Sequence, residues 1–522
     1  MRIICKELLL LSQVLLTLVS CDKNNNPVVQ PEPEPVASYS LYPVPTAAAT
    51  SGNNGYNGWV GDVMPHFLEG KFQLFFLHDA TDREKQASAG QHPVHRFTTE
   101  NLTEYTYEGE VIPYGNSSTQ DHLVGTGSMV EANGTYYFYY TGHNGSSSWL
   151  QNNNAGWVNG NTREAVMYAT STDLITWTKQ PAFTLKAPEG YNRNEFRDPY
   201  VFYNEEFSTY WMLVSAQRSG KGELLVFTSA DPALNNWQLR GPLNVEGDYL
   251  MLECADIFKW GNQYYMLFAE DWSNTPGTRY RVASSTSGPW VKPTGGHDMF
   301  DGHQFYAARM ASNGSKYYSF GWAHRRNPEN DNGTRTWGGN LISHELTQLP
   351  NKRLGVRLPE SIVNYFSKAA DLAVKSQEGT VSSSGSNYVM DGSNVVAAYQ
   401  FGEMKGSLRV SGTVSFSNTS GTASIGLNIG DGNNASYHIR FEPGANRIAA
   451  YNNGSEVTRV PFSFEAGKAY TMHLVVENSV VIVYLNDEVA LTNRIYGAPG
   501  KTWKFSANGM KVDLQNAKVY TH

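Results

Sequence analysis

The stretch Ile257–Ala269, IFKWGNQYYMLFA, decides the fold of this chain. An apolar strand leads into a Gly-Asn turn, and a second strand crowded with aromatic residues follows, which is the pattern of a β-hairpin. The pattern occurs five times at a spacing of about 60 residues, which suits four strands and their loops. The predicted hairpins are Val63–Leu68 with Phe72–His78, Met129–Ala132 with Tyr136–Thr141, Tyr200–Tyr203 with Tyr210–Ser215, Ile257–Trp260 with Tyr264–Ala269, and Ala307–Ala311 with Tyr317–Trp322.

A second motif follows the first four hairpins and predicts the remainder of each unit. It consists of a third strand, a turn of small residues and an aromatic residue near the start of a fourth strand, as in ATSTD (169–173) before Trp177. Five such four-stranded units closed into a ring form a five-bladed β-propeller. A β-sandwich with coincidental aromatic residues is the alternative, and five matched hairpins in register favour the propeller.

The sequence changes character after Pro359. Alternating apolar strands linked by Gly, Asn and Ser turns follow without another copy of the hairpin pattern, which predicts a β-sandwich. We therefore predict an all-β chain, with a five-bladed β-propeller catalytic domain over residues 51–360 and a C-terminal β-sandwich over residues 361–522. The predicted sandwich strands are 407–415, 423–429, 470–476, 480–485 and 510–519.

The N-terminus has the pattern of a targeting signal. Two basic residues precede the apolar run Leu8–Val19, which has the proportions of a signal-peptide core and is too short to span a bilayer. The run ends in LVSC (18–21), which resembles a bacterial lipobox. That resemblance implies a lipoprotein signal peptide over residues 1–20 and lipidation of Cys21. An ordinary signal peptide with a chance cysteine is the alternative.

Composition narrows the expected location and partners. The Asn- and Pro-rich residues 21–50 predict a disordered stalk, so we expect an exported lipoprotein that meets a bacterial membrane only through its lipid anchor. Aromatic residues at 13% against 17% charged residues suit a β-rich, sugar-binding protein. A net charge of −8 without a basic run after the leader argues against nucleic acid as a partner. The oligomeric state, and whether the anchored protein faces the periplasm or the cell surface, stay open.

Three carboxylic acids stand where the innermost strands of the predicted blades begin. Asp62, Asp198 and Glu253 lie about 10 to 12 residues before the first aromatic residue of the following strand, in blades one, three and four. Innermost strands run side by side around a propeller axis, so one shared repeat position predicts three carboxylates facing one funnel. Converging carboxylates raise one another's pKa, and one can then stay protonated as a general acid while another is ionised. Glycosidic bond cleavage needs that division. The alternative for each acid is a turn cap or an ion pair with a base.

Further side chains are candidates for contact with a sugar. Trp59, Tyr306, Trp322 and Trp337 would supply flat apolar faces for sugar rings, with packing between blades as the alternative for each. His78, His95 and Ser128 are additional substrate-binding candidates. The histidines are scattered without the close spacing of a metal site, so we expect neither a metal nor a cofactor.

At these residues the chain resembles glycoside hydrolase family 32, the β-fructosidases, which include invertases, inulinases and levanases. RDP (197–199) resembles the family's Arg-Asp-Pro motif, EC (253–254) resembles its Glu-Cys motif, and Asp62 stands where the family's nucleophile is expected. Asp62 has Gly before it and Val-Met-Pro after it, where the family usually has Asn and Pro-Asn-Gly, and this leaves substrate and linkage open. Lesser signatures are resembled by GS (127–128), FYA (305–307), GW (321–322), WGG (337–339) and VIVYLNDEVALTNRIY (481–496).

The resemblance implies a retaining glycoside hydrolase that cleaves β-fructofuranosidic bonds in fructans, such as levan and inulin, or in fructo-oligosaccharides. It implies that Asp62 is the nucleophile at the anomeric carbon and that Glu253 is the general acid and base. Asp198 would stabilise the oxocarbenium-like transition state, and Arg197 would hold the carboxylates and contact substrate.

Three other functions stay open. An inverting arabinan- or xylan-type glycosidase on the same fold also uses three carboxylates, although it would not be expected to carry the Glu-Cys motif or this sandwich. A surface glycan-binding lipoprotein without turnover is the non-enzymatic alternative, and the presence of all three acids weighs against it. A fructan transferase would use the same residues and pass the fructosyl unit to a hydroxyl instead of water.

Overall fold

A computed structural model describes residues 38–46, 55–80, 91–151, 160–295, 297–429 and 434–522. The predicted signal peptide, Cys21 and most of the predicted stalk lie outside these ranges and stay predictions. Within them, no helix has the length and apolar character that a membrane crossing requires. The α-helices described are α1 (Ser147–Leu150) and α2 (Glu360–Tyr365).

Five β-sheet units follow one another along residues 58–357, and each begins with the strand nearest the axis. A short strand, β1 (Ser38–Tyr39), pairs with the outer edge of the first unit. The fourth unit has three strands, and Val291 bridges to its edge in place of a regular fourth strand. The strands are, by unit, β2 (Gly58–Leu68), β3 (Lys71–Ala80), β4 (Val94–Thr99) and β5 (Glu104–Ile112); β6 (Leu123–Ala132), β7 (Thr135–His143), β8 (Glu164–Ser171) and β9 (Thr178–Lys179); β10 (Phe196–Asn204), β11 (Thr209–Arg218), β12 (Lys221–Ser229) and β13 (Gln238–Pro242); β14 (Glu253–Trp260), β15 (Gln263–Glu270) and β16 (Gly277–Ala283); β17 (Phe305–Ser312), β18 (Tyr317–Asn327), β19 (Thr334–Gln348) and β20 (Leu354–Arg357).

The five units close into a ring. Each innermost strand contacts the innermost strands of the units before and after it, and β17 of the last unit contacts β2 of the first. Val60 of β2 also pairs with Gly339 of β19, which joins the first and last units. The predicted five-bladed β-propeller is thereby confirmed, and the five hairpins quoted from the sequence form its five inner strand pairs.

Every innermost strand carries a β-bulge at the same height. Pairing with the second strand of the blade shifts register between Gly61 and Met64, Gly125 and Gly127, Arg197 and Tyr200, Glu253 and Asp256, and Tyr306 and Arg309. A bulge re-aims the side chains beside it. The residues near the start of the five innermost strands therefore form two sets. The paired layer is the last residue before each bulge: Gly61, Gly125, Arg197, Glu253 and Tyr306. The bulge layer is the residue that follows: Asp62, Thr126, Asp198, Cys254 and Ala307.

The C-terminal part folds into two antiparallel sheets that enclose their own apolar core, as predicted for a β-sandwich. In one sheet the order is β23-β24-β35-β26-β31-β32-β33 with β21 also pairing β35, and in the other it is β22-β25-β34-β27-β28-β29-β30. The strands are β21 (Lys368–Asp371), β22 (Val374–Glu378), β23 (Thr380–Ser384), β24 (Asn387–Asp391), β25 (Ala397–Glu403), β26 (Leu408–Phe416), β27 (Thr422–Ile429), β28 (Ala435–Glu442), β29 (Arg447–Asn452), β30 (Ser455–Pro461), β31 (Ala469–Glu477), β32 (Val480–Leu485), β33 (Val489–Arg494), β34 (Thr502–Asn508) and β35 (Lys511–Thr521).

The sandwich and the last two blades share buried contacts. One apolar cluster joins Tyr265 of blade four and Phe305 of blade five to Ile482 of the sandwich. The buried Arg494 of β33 donates hydrogen bonds to the carbonyl oxygens of Ala323 (3.0 Å) and His324 (3.2 Å) in blade five. The sandwich therefore supports the same strand, β18, that carries Trp322 to the propeller axis.

Candidate active site

A cavity of about 410 Å³ lies at the end of the axis where the innermost strands begin. The structure brings Asp62, Asp198 and Glu253 together in its wall, with Arg197, Tyr306 and Trp322, although these residues are far apart in the sequence. Further lining residues come from loops and from the second and third strands of blades: His92, Thr141, His143, Glu164, Asp271, Trp272, His324, Arg335, Thr336 and Trp337.

The three acids do not share one repeat position, which corrects the sequence prediction. Asp62 and Asp198 occupy the bulge layer with positive φ values of 36° and 60°. Glu253 belongs to the paired layer, since it pairs with Ala269 immediately before its bulge. Cys254 takes the bulge position of blade four, with φ 53°. The register of a bulge depends on the partner strand, so counting residues along the chain misplaced Glu253 by one position.

The paired layer surrounds Glu253 with donors from the adjacent blades. Arg197 donates to one carboxylate oxygen (Nη2 to Oε1, 3.0 Å), and the Tyr306 hydroxyl donates to the other (2.8 Å). Arg197 is itself held by Glu164 (3.2 Å) and by Glu195. Its guanidinium is thus fixed on both sides, and the Glu253 carboxyl is held towards the axis.

The bulge layer holds the two aspartates. The Thr126 hydroxyl donates to Oδ2 of Asp62 (2.6 Å), and the Trp322 indole N–H donates to its Oδ1 (3.2 Å). The backbone N–H of Cys254 donates to Oδ2 of Asp198 (2.9 Å). Donors from blades two and five therefore stabilise the ionised form of Asp62.

Burial dominates the electrostatics of the three acids. It raises the pKa of Asp62, and the negative charge of Glu253 adds to that rise while Thr126 and Trp322 oppose it. Burial likewise raises the pKa of Glu253, with Arg197 opposing and Asp198 reinforcing the rise. The pKa of Asp198 is raised to about 6 by burial, against the neighbouring Arg197. The cluster can thus hold a proton near neutral pH, as an acid catalyst requires.

Several residues that line this cavity were not identified from the sequence. Trp272 lies at the cavity with 45% of its surface exposed, and Arg335 pairs with Asp271 (2.9 Å) at the same wall. His92 stacks on Trp337 with ring centroids 4.2 Å apart. None of these positions repeats from blade to blade, so the sequence offered no periodic signal for them.

Arg309 is a further group that sequence reasoning missed. It is buried below the bulge layer and donates to the carbonyl oxygens of Cys254 (2.9 Å) and Gly127. It thereby connects blades two, four and five across the axis. Its charge is one of the smaller influences that lower the pKa of both Asp62 and Asp198.

Three predicted substrate contacts do not lie at this cavity. His78 and His95 are buried inside blade one, stacked on each other with ring centroids 4.2 Å apart. Ser128 lies beyond the bulge, where its hydroxyl accepts the backbone N–H of Val201 (2.8 Å), and it lines a separate cavity. None of these three side chains lines the cavity that holds the acids, which corrects their assignment as substrate-binding residues.

The arrangement is suited to acid–base and nucleophilic chemistry on an acetal. A carboxyl group that can hold a proton and a hydrogen-bonded carboxylate face one cavity, and cleavage of a glycosidic bond uses such a pair. Among the residues that the structure describes, no group of three or more His, Cys, Asp or Glu side chains is arranged to hold a metal ion.

Two protein-family models together match almost the whole described chain. The model for the glycosyl hydrolases family 32 N-terminal domain matches residues 55–351. The model for the GH32, BT1760-like, C-terminal domain matches residues 353–519.

Curated relatives match over part of their length. The raffinose invertase of Escherichia coli is 28% identical over 306 residues, which cover 54% of this chain and 59% of the relative. The sucrose-6-phosphate hydrolase of Escherichia coli is 28% identical over 320 residues, which cover 57% and 61%. The chain thus spans about three fifths of the length of these relatives.

Solved structures share the fold at low sequence identity. The exo-inulinase of Aspergillus awamori superposes with a TM-score of 0.67 at 17% identity, covering 93% of this chain and 98% of the other. The fructan 1-exohydrolase IIa of Cichorium intybus gives a TM-score of 0.65 at 13% identity, also covering 93% and 98%. The sucrose-6-phosphate hydrolase of Lactobacillus gasseri gives 0.68 at 17% identity, covering 89% and 91%.

Proposed function

Because the chain belongs to glycosyl hydrolase family 32, we propose that it is a β-fructofuranosidase that cleaves β-fructofuranosidic bonds with retention of configuration. One observation carries the proposal: the carboxyl groups of Asp62 and Glu253 face one cavity, and both are buried and held by hydrogen-bond donors. Asp62 is held by two uncharged donors that favour its anion. Burial and the neighbouring Asp198 raise the pKa of Glu253 and favour its protonated form, while Arg197 and Tyr306 oppose that rise.

The proposed reaction uses the two layers in turn. Asp62 attacks the anomeric carbon of a fructosyl unit while Glu253 gives its proton to the leaving oxygen. Glu253, then ionised and still held by Arg197 and Tyr306, takes a proton from the water that releases the fructosyl unit from Asp62. Asp198, fixed by the N–H of Cys254, stabilises the positive charge that develops on the sugar ring.

We propose fructans and fructo-oligosaccharides as the substrate class, with sucrose as the shortest substrate. Two relatives by fold are an exo-inulinase and a fructan 1-exohydrolase, and the relatives by sequence include an invertase. The half-exposed indole of Trp272 at the cavity supports this class, because an aromatic face suits stacking on a sugar ring.

The proposal is tested by incubating the purified protein with sucrose, levan, inulin and arabinan and resolving the products by size. Release of fructose from a fructosyl substrate is the expected result, and cyclic or lengthened products would identify a transferase. Proton NMR of the first products should show retained anomeric configuration, whereas inversion would contradict the roles given to Asp62 and Glu253.

Glu253→Gln is the variant that tests the acid most directly. It removes the catalytic proton and keeps the shape of the side chain, so we expect kcat to fall by about 10²–10⁴-fold while substrate binding persists. Asp62→Ala should abolish turnover. Activity on fructosyl substrates that survives both changes would overturn the proposal.

We also propose that the protein is exported and anchored through a lipid on Cys21. The LVSC sequence (18–21) after a short apolar run, and the Asn- and Pro-rich segment that follows, support this. Membrane fractionation with palmitate labelling tests it in a bacterial host that processes lipoproteins. The native chain should be labelled and sediment with membranes, and Cys21→Ser should be unlabelled and soluble. A labelled Cys21→Ser protein would contradict the assignment.

A further inference from the structure

Arg309 stands between two cavities of the propeller axis. Residues that follow the bulges on four of the innermost strands line a second cavity of about 410 Å³, which we call the rear cavity. Arg309 lines the rear cavity, and its guanidinium donates to the backbone of Cys254, which lines the cavity that holds the acids. Only 1% of the surface of Arg309 is exposed. Arg309 therefore reaches the acids from behind and does not line their cavity.

We propose that Arg309 is a positioning residue of the reaction, which fixes the residues that orient Asp62 and Asp198 and supplies a positive charge behind both. Because it does not line the cavity in which a substrate would react, it contributes through these two aspartates. This inference rests on the proposed function, since it takes Asp62 as the nucleophile and Asp198 as the stabiliser of the transition state.

One hydrogen bond of Arg309 holds the residue that orients Asp198. Its Nε donates to the carbonyl oxygen of Cys254 in blade four (2.9 Å). The backbone N–H of the same cysteine donates to Oδ2 of Asp198 in blade three (2.9 Å). The ring of Tyr200, two residues after Asp198, lies against the guanidinium, with its centroid 5.6 Å from Cζ. Arg309 is therefore bonded to the donor of Asp198 and packed on the strand that carries this aspartate.

A second hydrogen bond of Arg309 holds the residue beside the donor to Asp62. Its Nη1 donates to the carbonyl oxygen of Gly127 in blade two. Gly127 directly follows Thr126, whose hydroxyl donates to Oδ2 of Asp62 (2.6 Å). A guanidinium can hold two carbonyl oxygens at once because its N–H groups point outward in a fixed plane. One side chain from blade five thereby fixes the bulges of blades two and four relative to each other.

The charge of Arg309 acts on ionisable groups of three neighbouring innermost strands. Burial raises the pKa of Asp62 and of Asp198, and the charge of Arg309 partly opposes both rises. Burial also raises the pKa of Asp256 to about 7, and Arg309 again opposes the rise. The other charged or ionisable groups close to these acids are Arg197, Tyr200, Glu253 and Cys254. The positive charge behind the aspartates thus favours the anion that the reaction requires of Asp62.

Arg309→Met and Arg309→Lys separate the charge of the side chain from its shape. Arg309→Met removes the charge and both hydrogen bonds, so we expect kcat on sucrose to fall by roughly 10²-fold as the two bulges move. The acidic limb of kcat/KM should shift to higher pH, because Asp62 loses a positive neighbour and ionises less readily. Arg309→Lys keeps the charge without the planar fork, so kcat should fall while the acidic limb stays in place. Arg309→Gln, whose amide retains a donor, replaces the methionine variant if that variant does not fold.

Arg96→Met is the matched control for the loss of a buried arginine. Arg96 is buried in β4 of blade one, donates to the carbonyl oxygen of Leu174 in blade two (2.8 Å) and lies 5.8 Å from the centroid of the Phe75 ring. It does not line the cavity that holds the acids. Its substitution should lower Tm, as that of Arg309 does, and should leave kcat and both limbs of the pH profile unchanged.

Carbon-13 NMR of protein labelled at the Asp carboxyl carbons separates failure of this inference from failure of the proposed function. The signal of Asp62 is assigned by its absence from Asp62→Asn protein. It should titrate at higher pH in Arg309→Met protein than in the native and Arg309→Lys proteins. That result supports the inference even if no fructosyl substrate is turned over, in which case only the proposed function fails. An unmoved titration of Asp62 overturns the inference, as does an equal shift in Arg96→Met protein.

Discussion

At the residue scale, the burial of Glu253 and Asp62 and the hydrogen bonds that they accept set the pH range of the proposed activity. Catalysis needs Glu253 protonated, so activity is lost as pH rises through its pKa. It needs Asp62 ionised, so activity is lost as pH falls through its pKa. Burial raises both pKa values, and both limbs of the pH profile should therefore lie above those of free carboxyl groups.

Tyr306→Phe should move only the basic limb of kcat/KM. Burial raises the pKa of Glu253, and the hydrogen bond from the Tyr306 hydroxyl partly lowers it. Removal of the hydroxyl therefore raises the pKa of Glu253 further. We expect the basic limb to move to higher pH by about one unit, the equivalent of one hydrogen bond. A pH–rate profile with sucrose measures this, and an unmoved basic limb would show that Glu253 is not the acid.

Thr126→Val is the counterpart for the acidic limb. It keeps the shape of the side chain and removes the donor at 2.6 Å from Asp62, so the pKa of Asp62 rises. We expect the acidic limb to move to higher pH, again by about one unit, while the basic limb stays in place. A shift of the basic limb instead would exchange the roles of the two acids.

At the element scale, the five bulges position the side chains of the candidate site. They place two side-chain layers at the same height on five strands, so that Arg197, Glu253 and Tyr306 bond within one layer. Asp62 and Thr126 bond within the other. A regular strand would send successive side chains to opposite faces. The bulge lets neighbours such as Glu253 and Cys254 both reach the cavity.

Gly127 and Gly134, both in blade two, separate bulge geometry from turn geometry. A Cβ on Gly127 would lie 1.9 Å from the carbonyl oxygen of Tyr139, whereas one on Gly134, at φ 73°, would meet nothing within 4 Å. Gly134→Ala should cost about 1 kcal/mol of unfolding free energy from the backbone alone and leave kcat unchanged.

Gly127→Ala should cost about 3 kcal/mol because strands β6 and β7 must separate, and should also lower kcat because Thr126 moves with the bulge. Urea unfolding and sucrose kinetics on both variants measure the difference. Equal effects of the two substitutions on kcat would mean that the bulge does not position the site.

At the scale of the whole molecule, the propeller and sandwich are joined too closely to unfold separately. They share an apolar cluster that runs from blades four and five into β32, and the buried Glu477 of the sandwich accepts the backbone N–H groups of Leu41 and Tyr42. The segment that leads into blade one is thus held by the C-terminal domain.

We therefore predict one calorimetric unfolding transition, with calorimetric and van't Hoff enthalpies equal. Glu477→Ala would leave two buried N–H groups without their acceptor and should lower the free energy of unfolding by roughly 2–5 kcal/mol without splitting the transition. Two resolved transitions in the native protein would contradict the shared core. Scanning calorimetry of both proteins provides the measurement.

The sequence by itself determined the architecture and the identity of the acids. Strand alternation and turn chemistry are short-range properties, so the hairpin at Ile257–Ala269 and its four copies predicted a propeller without any contact being known. The same repeat drew attention to Asp62, Asp198 and Glu253, and the change of pattern after Pro359 predicted the sandwich.

Only the tertiary structure decided which side chains meet. Bulge register depends on the partner strand, so it moved Glu253 out of the position of Asp62 and beside Arg197 and Tyr306. Burial depends on what packs from other blades, so it removed His78 and His95 from the site. Trp272 lies in a loop of blade four and Arg335 in a strand of blade five. Their positions have no common period in the chain, so a linear pattern carries no record that they meet at the cavity.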